Sequence, residues 1–277
     1  MIRSAAGTVL LSLLLALAPG GAARAQNPAP VVPAPAPTPF EARAYQDPAG
    51  TGTLPYRILL PDPLEPGVKY PLVLFFHGAG ERGADDLAQL KHGVGVFATP
   101  ENRKRFPAIV IAAQCPAGKQ WVDMPWGAPS GTRPAQPSDP MRLALGLLDE
   151  SLATLPADPR RVYLAGLSMG GYAVWDCVTR FPEKFAGAIA VCGGGDEATV
   201  TARAAAVPVW AFHSDDDPTV PAVRTRHMVE AMKAAGGQPR FTEYHGLGHN
   251  SWDRAYAEPE LLPWLFSQTR PPGPAAP

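Results

Sequence analysis

The stretch RVYLAGLSMGGYAVWD, residues 161–176, sets one polar residue, Ser168, between Gly166 and Gly170, with a third glycine at 171. The apolar residues before the serine read as a strand buried on both faces, and MGGYAVWDCVTRF, 169–181, reads as a helix. Gly166-Leu167-Ser168-Met169-Gly170 is a G-x-S-x-G pattern, which alone is modest evidence, because a small, flexible loop has the same composition. Between a strand and a helix it specifies a sharp turn that holds the serine hydroxyl out as a nucleophile. Glycines on both sides let helix and strand approach while the serine takes a strained conformation. The N-terminus of the following helix favours negative charge developing beside it.

Outward from this turn, strand-like and helix-like stretches alternate. YPLVLFFHG (70–78) and FPAIVIAAQ (106–114) are continuously apolar, PYRILLP (55–61) alternates as an outer strand does, and FAGAIAVCGG (185–194), VPVWAFH (207–213) and RFTEYHG (240–246) are further strands. PMRLALGLLDESLATL (140–155) carries an apolar helical face, with further helices near 196–206, over 221–237 and over 252–268. This alternation predicts an α/β fold, a mostly parallel twisted sheet of about eight strands with helices on both faces. In such sheets the ligand crevice lies beyond the carboxyl ends of the strands.

The chain has 277 residues, 46% hydrophobic and 18% charged, enough for one large domain with a core. Arg3, the leucine-rich run Val9–Ala18, the break at Pro19-Gly20-Gly21 and ARA at 23–25 read as a cleavable leader over 1–25, cut after Ala25. The apolar run is too short to insert stably in a membrane, so the expected location is periplasmic or secreted. The proline- and alanine-rich stretch 26–40 reads as an extended linker, 41–269 as the catalytic domain and 270–277 as a frayed tail. A net charge of −1 and the lack of a basic run argue against a nucleic-acid partner. Cys115, Cys177 and Cys192 form no disulfide framework; they read as small buried hydrophobes, with a Cys177–Cys192 bridge the lesser reading.

A serine nucleophile needs a base. His249, in YHGLGHNSWD, follows the last strand in a glycine-rich loop, in the chain order serine, acid, histidine that this architecture requires. His245 competes but sits at the strand end, while His213 and His77 end strands and read as orienting loops. The base needs a carboxylate to hold its tautomer. WAFHSDDDPTVP offers Asp215, Asp216 and Asp217; Asp217, the last before the next helix, is the expected acid and Asp216 its rival. FFHGAGERG (75–83) leaves a strand for a glycine-rich turn, so the backbone N–H of Ala79, with that of Met169, is the expected oxyanion hole. Trp121, Trp126 and Trp252 could stack a sugar or an aromatic acyl group, or pack their loops onto the core, and Arg82 is expected to pair with Glu81 or Asp85.

With YPLVLFFHGAGERG, AAQCPAGKQW, VYLAGLSMGGYAVWD, VWAFHSDDDPTVP and GLGHNSWD on one chain, the sequence resembles alpha/beta-hydrolases of the exported carboxylesterase type, related to feruloyl and acetyl-xylan esterases and polyester depolymerases. The resemblance spans nearly all of 45–268 and implies the triad Ser168, Asp217 and His249; many members carry glycine where this chain has Ser214. The expected chemistry is hydrolysis of a carboxylic ester, small or polysaccharide-linked, through an acyl-enzyme, with no metal and no cofactor. A serine peptidase of the prolyl oligopeptidase type shares the elbow and the order but usually carries a large second domain. An inactive, glycan-binding relative is the other alternative.

Overall fold

The computed structural model describes residues 38–271. The leader expected over 1–25, nearly all of the linker over 26–40 and most of the tail over 270–277 lie outside the described residues.

Among the described residues eight strands form one sheet: β1 (Glu41–Gln46), β2 (Thr53–Leu59), β3 (Tyr70–Phe76), β4 (Ile109–Ala113), β5 (Ala157–Leu167), β6 (Gly187–Val191), β7 (Val209–Ser214) and β8 (Arg240–Tyr244). Their order is β1-β2-β4-β3-β5-β6-β7-β8. The β1–β2 and β2–β4 pairs are antiparallel and every other neighbouring pair is parallel. Helices α1 (Pro100–Arg105), α2 (Asp139–Thr154), α3 (Met169–Arg180), α4 (Ala202–Ala205), α5 (Val223–Ala234), α6 (Trp252–Tyr256) and α7 (Leu261–Ser267) complete the α/β architecture.

Strands β3, β4 and β6 are buried at every position because successive side chains enter different cores. Leu72, Leu74 and Phe76 join Ile109, Ile111 and Leu164 on one face, under α2, α3 and α5. Val73 and Phe75 join Val110, Ala112, Tyr163 and Ala165 on the other, under α7. Each fully buried leucine or phenylalanine contributes about 1.5–3 kcal/mol. Helix α2 is delimited locally: the Ser138 hydroxyl accepts from the Met141 N–H at its start, and Pro156 follows its end.

Four differences from the sequence reading have physical causes. The outer strand on this side is β1, not β2; EARAYQ has only Tyr45 buried, so its charged residues give no core signal. The closing helix is two, α6 and α7, separated at 257–260 around Pro259. The helix expected near 196–206 is a 3-10 turn, Glu197–Thr199, followed by the short α4. The Cys177–Cys192 bridge does not form: all three cysteines are free and buried, and these two lie in cores on opposite faces of the sheet.

The glycines of the turn are required by close approach. A β-carbon on Gly170 would lie well inside contact distance of the Phe76 carbonyl, and one on Gly171 would stand 2.6 Å from the Val191 carbonyl. Both neighbours are backbone of central strands and cannot swing aside. Gly170→Ala is therefore expected to destabilise the fold by upwards of about 3 kcal/mol, beyond ordinary overpacking. A urea midpoint within error of the parent would show that helix and strand are not in contact there.

Candidate active site

Strand β5 ends at Leu167 and α3 begins at Met169, which leaves Ser168 alone to reverse the chain. It does so at φ 53, ψ −119, a conformation side-chain-bearing residues avoid, at a cost on the order of 1–3 kcal/mol. The turn is pinned by Ser168 N–H donating to Val191 O at 2.8 Å and by Tyr172 N–H donating to Ser168 O at 3.2 Å. The serine side chain caps no helix. Its Oγ instead lies 2.9 Å from His249 Nε2.

His249 sits in the loop after β8, where Gly246 and Gly248 take positive φ. Its Nδ1 is 2.7 Å from Asp217 Oδ2. A carboxylate only accepts, so Nδ1 carries the proton and Nε2 is free to accept from the serine hydroxyl. Asp217 has a fully buried side chain. Burial alone would raise its pKa, but hydrogen bonds from His213, His249 and the Val220 and Thr219 N–H groups outweigh burial and hold it well below the usual carboxylate range.

The three aspartates after β7 are thus sorted by contact. Asp215 pairs with exposed His245 at 2.7 Å. Asp216 accepts from the Ser214 hydroxyl at 2.6 Å and from the Gly248 N–H at 3.0 Å, tying the aspartate loop to the histidine loop. Ser214 Oγ also accepts from Leu247 N–H at 3.1 Å, so the serine that replaces a glycine of the resembling family braces the same junction. Only Asp217 meets His249.

Two histidines read from sequence as loop-orienting lie close behind this arrangement. His213 Nε2 stands 3.2 Å from Asp217 Oδ2 and 2.9 Å from Val220 O, so Asp217 holds an imidazole on each side. His77 is buried at the end of β3, beside the turn that carries Ala79. Ala79 opens a 3-10 turn, Ala79–Glu81, and Met169 is the first residue of α3; the first N–H groups of a helix have no intrahelical partner. Both donors lie next to the serine in chain or space, since a β-carbon on Gly78 would stand 3.5 Å from Ser168 Cβ.

The three tryptophans separate. Trp121 is 0% exposed, packs edge-on against Phe76 and His77, and donates from Nε1 to His77 O, so it is core and cannot stack a substrate. Trp252 is half-buried and meets the His249 ring edge-on, with centroids 5.3 Å apart. Trp126 is also half-buried, and its carbonyl accepts from the Tyr172 hydroxyl at 3.3 Å. Among the described residues Arg82 pairs with no carboxylate; it donates to the carbonyls of Ala79 and Lys119 and lies 5.9 Å from the Trp126 ring centre. The expected pairing with Glu81 or Asp85 is not made: Glu81 faces His92, and Asp85 accepts from the Leu87 and Ala88 N–H groups and the Gln114 amide.

Among the described residues, Cys192, Asp217 and His249 bring one ligand atom each to within 4.8 Å of one another. Two of the three already bond each other, and burial raises the Cys192 pKa far above its ordinary value, so its thiol stays protonated. A cation would therefore have to break the Asp217–His249 bond and deprotonate the buried thiol, so the three do not form a ready metal site.

Residues 67–258 match a family model described as phospholipase/carboxylesterase. The crystal structure of a thermostable esterase superposes with a TM-score of 0.77 at 37% identity, over 84% of this chain and 64% of that one. A ferulic acid esterase superposes with a TM-score of 0.63 at 16% identity, over 82% and 97% of the two chains, a likeness of fold alone. A poly(3-hydroxybutyrate) depolymerase of Ralstonia pickettii is 28% identical over 150 residues, which are 53% of this chain and 30% of the depolymerase. The chain thus spans less than two thirds of the thermostable esterase and under a third of the depolymerase.

Proposed function

The chain belongs to the phospholipase/carboxylesterase family, and from that premise we propose that it hydrolyses carboxylic esters through a Ser168–His249–Asp217 triad and an acyl-enzyme. The observation that carries the reading is the unbroken pair of contacts, Ser168 Oγ to His249 Nε2 at 2.9 Å and His249 Nδ1 to Asp217 Oδ2 at 2.7 Å.

In this mechanism His249 Nε2 takes the Ser168 proton as Oγ attacks the ester carbonyl. The carbonyl oxygen becomes an oxyanion, which the N–H groups of Ala79 and Met169 stabilise. His249 returns the proton to the departing alcohol, leaving Ser168 acylated. Water then repeats the sequence and releases the acid. Asp217 stays ionised, keeps the proton on Nδ1 and stabilises the imidazolium that forms. Trp252 beside His249, and Trp126 beside the Arg82 guanidinium that donates to the Ala79 carbonyl, support an acyl or alcohol group with a flat apolar face.

The test is a rate panel: short and long p-nitrophenyl acyl esters, methyl ferulate, acetylated xylan and a proline anilide. Turnover of short esters well above the anilide is expected. Cleavage of the anilide with no ester turned over would replace the esterase reading with a peptidase one, and glycan binding without any turnover would favour the inactive relative.

A further inference from the structure

Two buried side chains outside the proton shuttle converge on the backbone of the turn after β3. The Trp121 indole N–H donates to the His77 carbonyl at 3.2 Å. His77 Nδ1 is 2.6 Å from the Gly78 carbonyl, and its Nε2 is 2.9 Å from the Cys115 nitrogen. The Cys115 N–H can only donate and the Gly78 carbonyl can only accept, so the ring proton sits on Nδ1. Burial lowers the His77 pKa to about 4, so the ring is neutral near pH 7.

The Gly78 carbonyl and the Ala79 N–H belong to one peptide unit, and in a trans peptide they point in opposite directions. Holding the carbonyl against the buried His77 ring therefore turns the Ala79 N–H away from it. That peptide borders the nucleophile, because a β-carbon on Gly78 would meet Leu167 Cδ1 at 2.9 Å and Ser168 Cβ at 3.5 Å. The far side of the turn is gripped separately: Gly83 N–H donates to Cys115 O at 3.0 Å, and the Gln114 amide holds Glu81 O at 3.1 Å and Asp86 N–H at 2.7 Å. Those bonds fix where the loop lies. The Gly78–Ala79 plane itself is held at its carbonyl by His77 Nδ1 at 2.6 Å and, at the much longer 3.4 Å, by the Glu81 N–H of the same turn, so the imidazole is the stronger hold.

We propose that His77 is a positioning residue for the oxyanion site: its Nδ1–H locks the Gly78–Ala79 peptide plane, with Trp121 steadying the preceding carbonyl, so that the Ala79 N–H is aimed at the oxygen that becomes charged. A hydrogen bond to a carbonyl also polarises its peptide and makes the N–H a better donor. The inference rests on the ester-hydrolase reading above and assigns His77 a role in it that needs one ring nitrogen and not the other.

That asymmetry gives the test, in the full chain with a p-nitrophenyl ester. In His77→Asn the amide nitrogen occupies the place of Nδ1 and can donate to Gly78. In His77→Gln the amide reaches the place of Nε2 and can accept from Cys115, but Gly78 loses its short donor and keeps only the Glu81 N–H at 3.4 Å. His77→Gln is expected to lower kcat by about 10- to 100-fold with KM unchanged, below the loss seen when a whole oxyanion donor is removed. Affinity for a boronic acid, which mimics the tetrahedral intermediate, falls by the same factor, and His77→Asn recovers most of the lost rate. Equal losses in the two variants, or a loss confined to KM or to the melting temperature, would overturn the proposal, because a merely structural histidine does not distinguish its nitrogens. If His77→Gln does not fold, Trp121→Phe removes the indole donor and keeps the ring. A severalfold fall in kcat and in boronate affinity at constant KM then supports the role, and an unchanged kcat overturns it. A wild type that turns over no ester sinks the hydrolase reading itself; an active wild type matched by His77→Gln sinks only the clamp.

Discussion

Ser168→Ala is expected to lower kcat on any ester the protein turns over by roughly a million-fold, leaving the residual rate that oxyanion donors and binding supply without a nucleophile. The fold should survive. The hydroxyl makes its hydrogen bond to His249 and caps no helix, and the turn is held by backbone bonds to Val191 and Tyr172 that alanine keeps. Ser168→Gly extends the experiment. It removes the same hydroxyl but takes φ 53 at little steric cost, so it should be equally inactive and should melt above Ser168→Ala. Stability gained where activity is lost is the signature of strain stored for function. A Ser168→Ala variant that kept a tenth of the parent rate would move the nucleophile elsewhere.

The parts legible in the sequence were those in which one residue's chemistry forces one structural answer. Tyr70–Phe76 and Ile109–Ala113 are apolar throughout because both faces of the sheet are covered, and few other structures use such short runs. Gly166, Gly170 and Gly171 announce the turn because a β-carbon at any of them would strike backbone. What stayed hidden depends on partners far away in the chain. Trp121, Trp126 and Trp252 are chemically identical, and only packing against Phe76 and His77 makes the first of them core. His77 and His213 could be read as ending strands, but not that one holds a carbonyl next to Ser168 while the other shares the Asp217 carboxylate with His249. Strand β1 was silent because an edge strand with charged residues buries almost nothing. The three consecutive aspartates differ in nothing but which loop reaches them.

That last ambiguity leads to the second large effect, Asp217→Asn. Four donors converge on Asp217: His249 Nδ1 at 2.7 Å and His213 Nε2 at 3.2 Å on Oδ2, and the N–H groups of Thr219 at 2.8 Å and Val220 at 2.9 Å on Oδ1. A carboxylate accepts from all four; an amide has one accepting oxygen. The two backbone donors cannot turn away, so the asparagine oxygen faces Thr219 and Val220 and its NH2 group faces the imidazoles. His249 must then accept at Nδ1, which moves its proton to Nε2, the atom that has to take the proton of Ser168. With geometry kept and the tautomer wrong, kcat is expected to fall about ten-thousandfold. Asp216→Asn is the control. Its carboxylate is exposed and holds Ser214 and the Gly248 N–H, and an amide oxygen can still accept from both, so the rate should stay within a few-fold of the parent. Measured side by side, an inactive Asp216→Asn beside an active Asp217→Asn would transfer the acid to Asp216. Equal, modest losses would mean that neither carboxylate sets the tautomer, and that His249 is held by its loop glycines and Trp252 instead. The contacts favour an inactive Asp217→Asn beside an active Asp216→Asn, because only the buried carboxylate of Asp217 touches the ring nitrogen whose proton decides whether the other nitrogen can act as a base.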